Sequence, residues 1–213
     1  MKKKIEYHRK NPAGKLLELP ENMRAIYEAR RKSFETVPVN SDDIVFLGDS
    51  LTQRVPWETF APNFVNRGIE SDRINLLNKR IDEVLYGDPY KILILIGINN
   101  LYDGSKDRYI LAEYKNIILK INRVTPNTQI IIENVPPVNK TIFHHPMSNK
   151  SIEKFNRKLK RLTNCLQVDI LFVDLYSALV KNGELSAEFT DDGVHPNKAG
   201  ADVYKKVLLD YVR

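Results

Sequence analysis

The stretch that most constrains the fold is Lys91-Ile92-Leu93-Ile94-Leu95-Ile96. Its five consecutive aliphatic residues offer water no polar side. A strand with one wet face would alternate apolar and polar residues. An unbroken run of strand length suits a parallel strand covered on both faces. Parallel neighbours need long crossovers, usually helices. The rest of the chain should therefore supply strands and helices in turn.

It does. Strands are predicted at 44–47, 64–68, 91–96, 129–133 and 170–174, each rich in aliphatic or aromatic residues. Apolar residues at three-to-four spacing predict helices over 21–35, 71–85, 109–123 and 151–166. A short helix over 176–181 and a last one to about Val212 follow. The first helix should turn Met23, Ile26, Tyr27, Arg30 and Phe34 to one face, and the second Ile74, Leu77, Ile81, Val84 and Leu85. The alternation predicts a three-layer α/β/α sandwich with a mainly parallel five-stranded sheet. The 213 residues fit one such domain over 42–213, with 1–41 as an arm and helix packed on it.

Composition narrows the function. At 42% hydrophobic residues the chain can bury a core without a disulfide or metal staple. The single cysteine, Cys165, cannot form an internal disulfide. It falls in the apolar phase of its helix beside Leu162 and Leu166, so a buried thiol is expected. No CxxC or HExxH pattern suggests zinc, and no cofactor or metal is expected. Gly14-Lys15 lacks the upstream glycine and the following Ser or Thr of a phosphate loop. The net charge is +6, but its lysines and arginines are interleaved with acids. That pattern reads as solvated helix faces, and no nucleic-acid partner is expected. Met1-Lys2-Lys3-Lys4 is followed by polar residues rather than an apolar segment, so no secretory signal is expected. No run reaches membrane-spanning length, and the expectation is a cytoplasmic protein, or a secreted one if a leader was removed.

Chemistry gathers where the strands end, which is where ligands bind in open α/β sheets. Ile44-Val45-Phe46-Leu47 runs into Gly48-Asp49-Ser50. Ser50 reads either as a helix N-cap or as a nucleophile. Gly68 ends the second strand, where it closes a turn or lets backbone approach a ligand. Asn99 follows the third, where it closes a turn or offers an amide. His195 stands in a late loop, as a helix-capping residue or as a base. Asp191 and Asp192 compete as its partner. Acyl transfer needs these groups together: a hydroxyl, a histidine to take its proton, and a carboxylate to orient the histidine. It also needs donors for the oxyanion, such as the Ser50 and Gly68 amides and the Asn99 side chain. His8, His144 and His145 read as structural or surface residues. If the long 134–149 loop folds over the site, His144 and His145 would line it.

Four blocks, in order, are Phe46-Leu47-Gly48-Asp49-Ser50-Leu51-Thr52, Asn66-Arg67-Gly68, Ile96-Gly97-Ile98-Asn99-Asn100 and Asp192-Gly193-Val194-His195-Pro196-Asn197. Together they resemble the SGNH hydrolases, the GDSL esterase/lipase family. Within it the chain is similar to compact bacterial acylhydrolases related to platelet-activating factor acetylhydrolase subunits and carbohydrate O-acetylesterases. The resemblance implies a flavodoxin-like sheet and a serine esterase. Ser50 would be the nucleophile, His195 the base and Asp192 its partner, with Ser50, Gly68 and Asn99 as oxyanion donors. Asp49, Asn100, Trp57, Tyr102, Phe143 and His144 are the candidate pocket residues. Thr52 stands where an α/β-hydrolase elbow has its second glycine, which weakens that reading. Two positions depart from the family. Asn100 replaces a frequent aspartate, and Ser71 stands where many relatives have glycine, narrowing the pocket or starting a helix.

The expected substrate is a short acyl ester, above all an acetyl group on a carbohydrate. A lysophospholipid or thioester is the alternative within the family. A non-catalytic carbohydrate- or nucleic-acid-binding domain is the alternative from another class.

Overall fold

The computed structural model describes Asn11 and residues 13–212. The expected arm residues 1–10, His8 among them, lie outside the described residues.

Five parallel strands form one sheet: β1 (Ile44–Gly48), β2 (Phe64–Gly68), β3 (Lys91–Leu95), β4 (Gln129–Glu133) and β5 (Ile170–Val173), in the order β2-β1-β3-β4-β5. Register is continuous across the centre, with Ile44 opposite both Phe64 and Lys91, and Gly48 opposite both Gly68 and Leu95. Ile92, Leu93 and Ile94 of β3 are wholly buried, as a strand covered on both faces must be.

One face carries α3 (Ile74–Arg80), α6 (Asp107–Val124) and α7 (Asn149–Cys165), packed side by side. The other carries α9 (Lys198–Val212), which packs on β5 and on α8 (Leu175–Leu179). Trp57 closes this face by stacking on Phe46, with ring centroids 4.0 Å apart, and donates its indole N–H to the Thr52 carbonyl. The remaining helices are short: α2 (Ser50–Gln53), α4 (Asp82–Leu85) and α5 (Ile98–Tyr102). The α1 helix (Glu21–Ser33) lies over the β2 end of the sheet. Tyr27 reaches Asp72, and Arg30 donates to the Gly68 carbonyl.

The departures from the sequence reading are local. The 71–85 helix begins only at Ile74, because Ser71 adopts φ +63, outside the helical region, and it is interrupted at Ile81. All five of its expected inward residues are buried. Of the first helix's face only Tyr27 and Phe34 are buried, and Ile26 is 54% exposed. Cys165 is exposed rather than buried, because it is the last residue of α7, where the helix leaves the sheet. Asn182-Gly183 forms a hairpin turn between β6 (Val180–Lys181) and β7 (Glu184–Leu185), a pair too short to register in periodicity. Among the described residues, no helix is long and apolar enough to cross a membrane.

The topology sets the site. The chain leaves β1 toward β2 on one side and leaves β3 toward β4 on the other. The carboxyl ends of β1 and β3 therefore flank a crevice where the connections part, and Ser50 and Asn99 stand beside it.

Candidate active site

Ser50 is the first residue of α2, directly after β1. The turn is tight because Gly48 admits no side chain. A Cβ there would lie 2.2 Å from the Leu95 carbonyl and 2.3 Å from the Thr52 hydroxyl. Asp49 caps α2 by accepting from the Leu51 amide at 3.0 Å. The Ser50 side chain is left facing the crevice, 5% exposed.

The histidine arrives from the other end of the chain. Thr190 pairs with Pro196 in an antiparallel bridge, closing a turn around Gly193 at φ +83. Asp192 Oδ1 accepts the amides of Val194 and His195, at 3.0 and 2.8 Å. Its Oδ2 lies 2.5 Å from His195 Nδ1, and His195 Nε2 lies 2.9 Å from Ser50 Oγ. Asp191 points away and accepts from the Asn197 side chain. The competition between the two aspartates is thus decided by geometry in favour of Asp192.

Charge fits this relay. Burial pushes the Asp192 carboxyl upward, but the His195 amide, the His195 ring and the Val194 amide outweigh it and hold it at about 2. Asp192 is therefore ionised at neutral pH. Burial lowers the His195 ring below its ordinary value, while Asp192 pulls it upward and the Arg54 cation pushes it down again. Arg54 stands at the rim, 3.5 Å from Asp192 Oδ2 and 3.3 Å from Glu70. A neutral imidazole can take the serine proton, and a protonated one cannot. Activity should therefore fall as pH drops through the His195 pKa. Removing the Arg54 cation raises that pKa, so Arg54→Gln is expected to move the acid limb of the kcat/KM profile to higher pH. An unmoved or lowered limb would show that Arg54 does not act on the relay.

Asn99 is in the first turn of α5, after Gly97 at φ +117. Its amide donates to the Asp72 carbonyl at 3.0 Å, and the side chain lines the crevice with Ser50. Gly68 does not join them. Its amide donates to Asn66 Oδ1 at 2.9 Å, and its missing side chain lets β2 approach α2, where a Cβ would lie 2.3 Å from the Gln53 amide. Three residues on, the Ser71 amide takes no partner among the described residues. That free donor was hidden in a segment that reads as helix.

The expected pocket residues divide. Tyr102 and Phe143 line the crevice, together with Ile98, Met147 and Val194. Trp57 does not, being buried on the far face of the sheet against Phe46. His144 is exposed, and its neighbour His145 is buried instead, stacked on Tyr102 at 3.8 Å. Asn100 is buried and accepts from the Ile74 amide at the start of α3. Asp49 is also wholly buried. Burial pushes it up to about 8, as it does Glu133 at the end of β4, well above the ordinary carboxylate range.

The long loop 134–148 forms one wall. Asn156 and Asn149 each hold it by two hydrogen bonds, to the backbone of Val135 and of Val138. These asparagines carry no sequence signal, since their partners are backbone groups in a segment of irregular pattern. The loop delivers Phe143, His145 and Met147, leaving a cavity of about 80 Å³ beside Ser50.

The family model described as GDSL-like Lipase/Acylhydrolase matches residues 46–203. A solved structure from Streptococcus pneumonia, provisionally described as a platelet activating factor, is 28% identical, with TM-score 0.83 over 90% of this chain and 94% of that one. An acetylxylan esterase from Geobacillus stearothermophilus shares the fold at 20% identity, with TM-score 0.65 over 82% of this chain and 95% of its own. An N-acylneuraminate cytidylyltransferase of Streptococcus agalactiae is 24% identical over 174 residues, which are 79% of this chain. The chain spans only 39% of the length of that curated relative.

Proposed function

We propose, from the premise that this chain belongs to the GDSL-like lipase/acylhydrolase family and is a carboxylic ester hydrolase, that it removes short acyl groups through an acyl-enzyme on Ser50. The favoured substrate is an O-acetylated carbohydrate. The observation that carries this reading is the unbroken relay Asp192–His195–Ser50 beside a cavity of about 80 Å³. That volume is well below the about 300–1,000 Å³ usual for pockets that enclose a drug-sized ligand. It suits an acetyl group and leaves little room for a long acyl chain.

In this mechanism Ser50 Oγ attacks the ester carbonyl as its proton passes to His195 Nε2. The charge gathering on the carbonyl oxygen is met by the Ser50 amide and the Asn99 side chain. His195 then gives the proton to the departing alkoxide, and the C–O bond breaks. Water enters, gives a proton to His195, and attacks the acyl carbonyl. Collapse of that intermediate releases the acid and returns the proton to Ser50. Asp192 keeps the ring in the tautomer with Nδ1–H and stabilises the imidazolium.

The carbohydrate half of the proposal draws on the acetylxylan esterase sharing the fold. The curated relative's name adds a second candidate class, acylated sugar acids. Acetylated xylooligosaccharides, O-acetylated neuraminate, lysophospholipid and acyl-CoA thioester should be compared for acid release. The expected result is acetate release from an acetylated sugar, with kcat/KM on p-nitrophenyl esters falling as the acyl chain lengthens from acetyl to octanoyl. Preference for octanoyl, or turnover of lysophospholipid alone, would replace the acetylesterase reading with the lipase one.

A further inference from the structure

We propose that the cleft between α1 and β2, walled by Arg67, Arg80 and Phe34, binds a doubly charged oxyanion of the phosphate class. The cleft has a volume of about 730 Å³, within the usual range of ligand sites. It shares no lining residue with the crevice at Ser50.

Three guanidinium groups gather around one ring. The Arg67, Arg30 and Arg80 carbons lie 4.8, 5.0 and 6.0 Å from the Phe34 centroid. An aromatic face attracts each cation, but it does not cancel their mutual repulsion. The carboxylate in contact with this group is Asp72, and it is held by Arg80 at 2.7 Å. Arg30 donates to a carbonyl, that of Gly68. Arg67 is 5% exposed, and its side chain donates to the Val37 carbonyl. No carboxylate among the described residues lies within ion-pair distance of it.

A guanidinium carries five donors, so most of those on Arg67 are left for a ligand in the cleft. A buried cation with no carboxylate in contact is costly, and an anion seated beside it lowers that cost. Burial, Arg30 and Arg80 lower Arg67 to about 10 against the upward pull of Asp43 and Glu83, which leaves it charged at pH 7. The carboxylates of the cleft act on Arg67 only at a distance. Glu83 and Glu28 pair with Arg31, and Glu35 is exposed at the mouth. Phosphate suits the rigid fork of a guanidinium, which can meet two of its oxygens at once. Pro38, Val39 and Val84 supply apolar wall beyond the arginines, with room for an organic group attached to the phosphate.

The test is a titration of the full chain with inorganic phosphate and with glycerol phosphate, at ionic strength held constant with KCl. It is read by calorimetry and by thermal unfolding. Saturable binding is expected, with half-saturation below about 1 mM. It should weaken at least ~tenfold in Arg67→Gln, through the loss of charge-assisted bonds, and persist unchanged in Ser50→Ala. Tighter binding of glycerol phosphate would assign the remaining cleft to an organic substituent, and equal binding would assign the site to free phosphate. If Arg67→Gln does not fold, Arg30→Gln, at a half-buried position, tests the same cluster. A response no larger than that to KCl, or native affinity in the arginine variants, overturns the proposal. Because Ser50→Ala is carried throughout, failure here is separable from failure of the esterase reading.

Discussion

Ser50→Ala is expected to lower kcat on p-nitrophenyl acetate by about 10⁴- to 10⁶-fold, leaving only what the oxyanion donors and substrate binding provide. The reason is local. Ser50 Oγ is the atom 2.9 Å from His195 Nε2, and Asp192 already orients that ring at 2.5 Å. In the proposed mechanism, removing the hydroxyl deletes the nucleophile and leaves the base and its partner in place. KM should change little, because the hydroxyl acts in bond formation and not in ground-state binding. A second substitution, His195→Ala in the Ser50→Ala background, should cost almost nothing more, since the two act as a unit. Native-level turnover by Ser50→Ala would remove the acyl-enzyme mechanism. Independent, multiplying losses from the two substitutions would show that they are not one relay.

Arg80→Ala is expected to destabilise the fold by about 3–5 kcal/mol, the usual cost of removing one partner of a buried ion pair. Arg80 is 2% exposed and Asp72 is wholly buried. Two Arg80 nitrogens meet Asp72 Oδ2, at 3.0 and 2.7 Å. One of them also donates to the carbonyls of Gly48 and Arg67. The variant thus strands a carboxylate and two strand-end carbonyls at once. Burial pushes the Asp72 carboxyl upward, and Arg80 offsets part of that push. Urea unfolding measures the loss, and Asp72→Asn added to Arg80→Ala should recover part of it by removing the stranded charge. A loss under about 1 kcal/mol would mean that the pair is not structurally important. The site should register the change too, because the Asp72 carbonyl holds Asn99 and Gly48 precedes the turn to Ser50.

The strands were legible because burial on both faces forces aliphatic runs, and Ile92–Leu95 can answer to little else. The turn from Asp192 to His195 was legible because it is local: a carboxylate three residues before a histidine can accept that residue's amide. Residues whose role depends on a distant partner were not legible. Trp57 is an aromatic in a loop-like segment, a description that fits a sugar platform as well as a core plug. Only the position of Phe46 across the sheet makes it the plug. His144 and His145 are adjacent in sequence, and the loop held by Asn149 and Asn156 decides that His145 is the one turned inward. Gly68 looked like a donor because it ends a strand, yet Asn66, two residues before it, takes its amide.

By itself the sequence determined the layered α/β architecture and the identity of the polar residues at the strand ends. Periodicity and turn chemistry are local properties that neighbouring residues enforce. It also carried the family resemblance, through four blocks in order. Only the tertiary structure brought Ser50 and His195, 145 positions apart, within hydrogen-bond reach. It also drew Arg30, Arg67 and Arg80 around Phe34. Each of those contacts depends on strand register and loop packing between distant segments, whose geometry no single segment encodes.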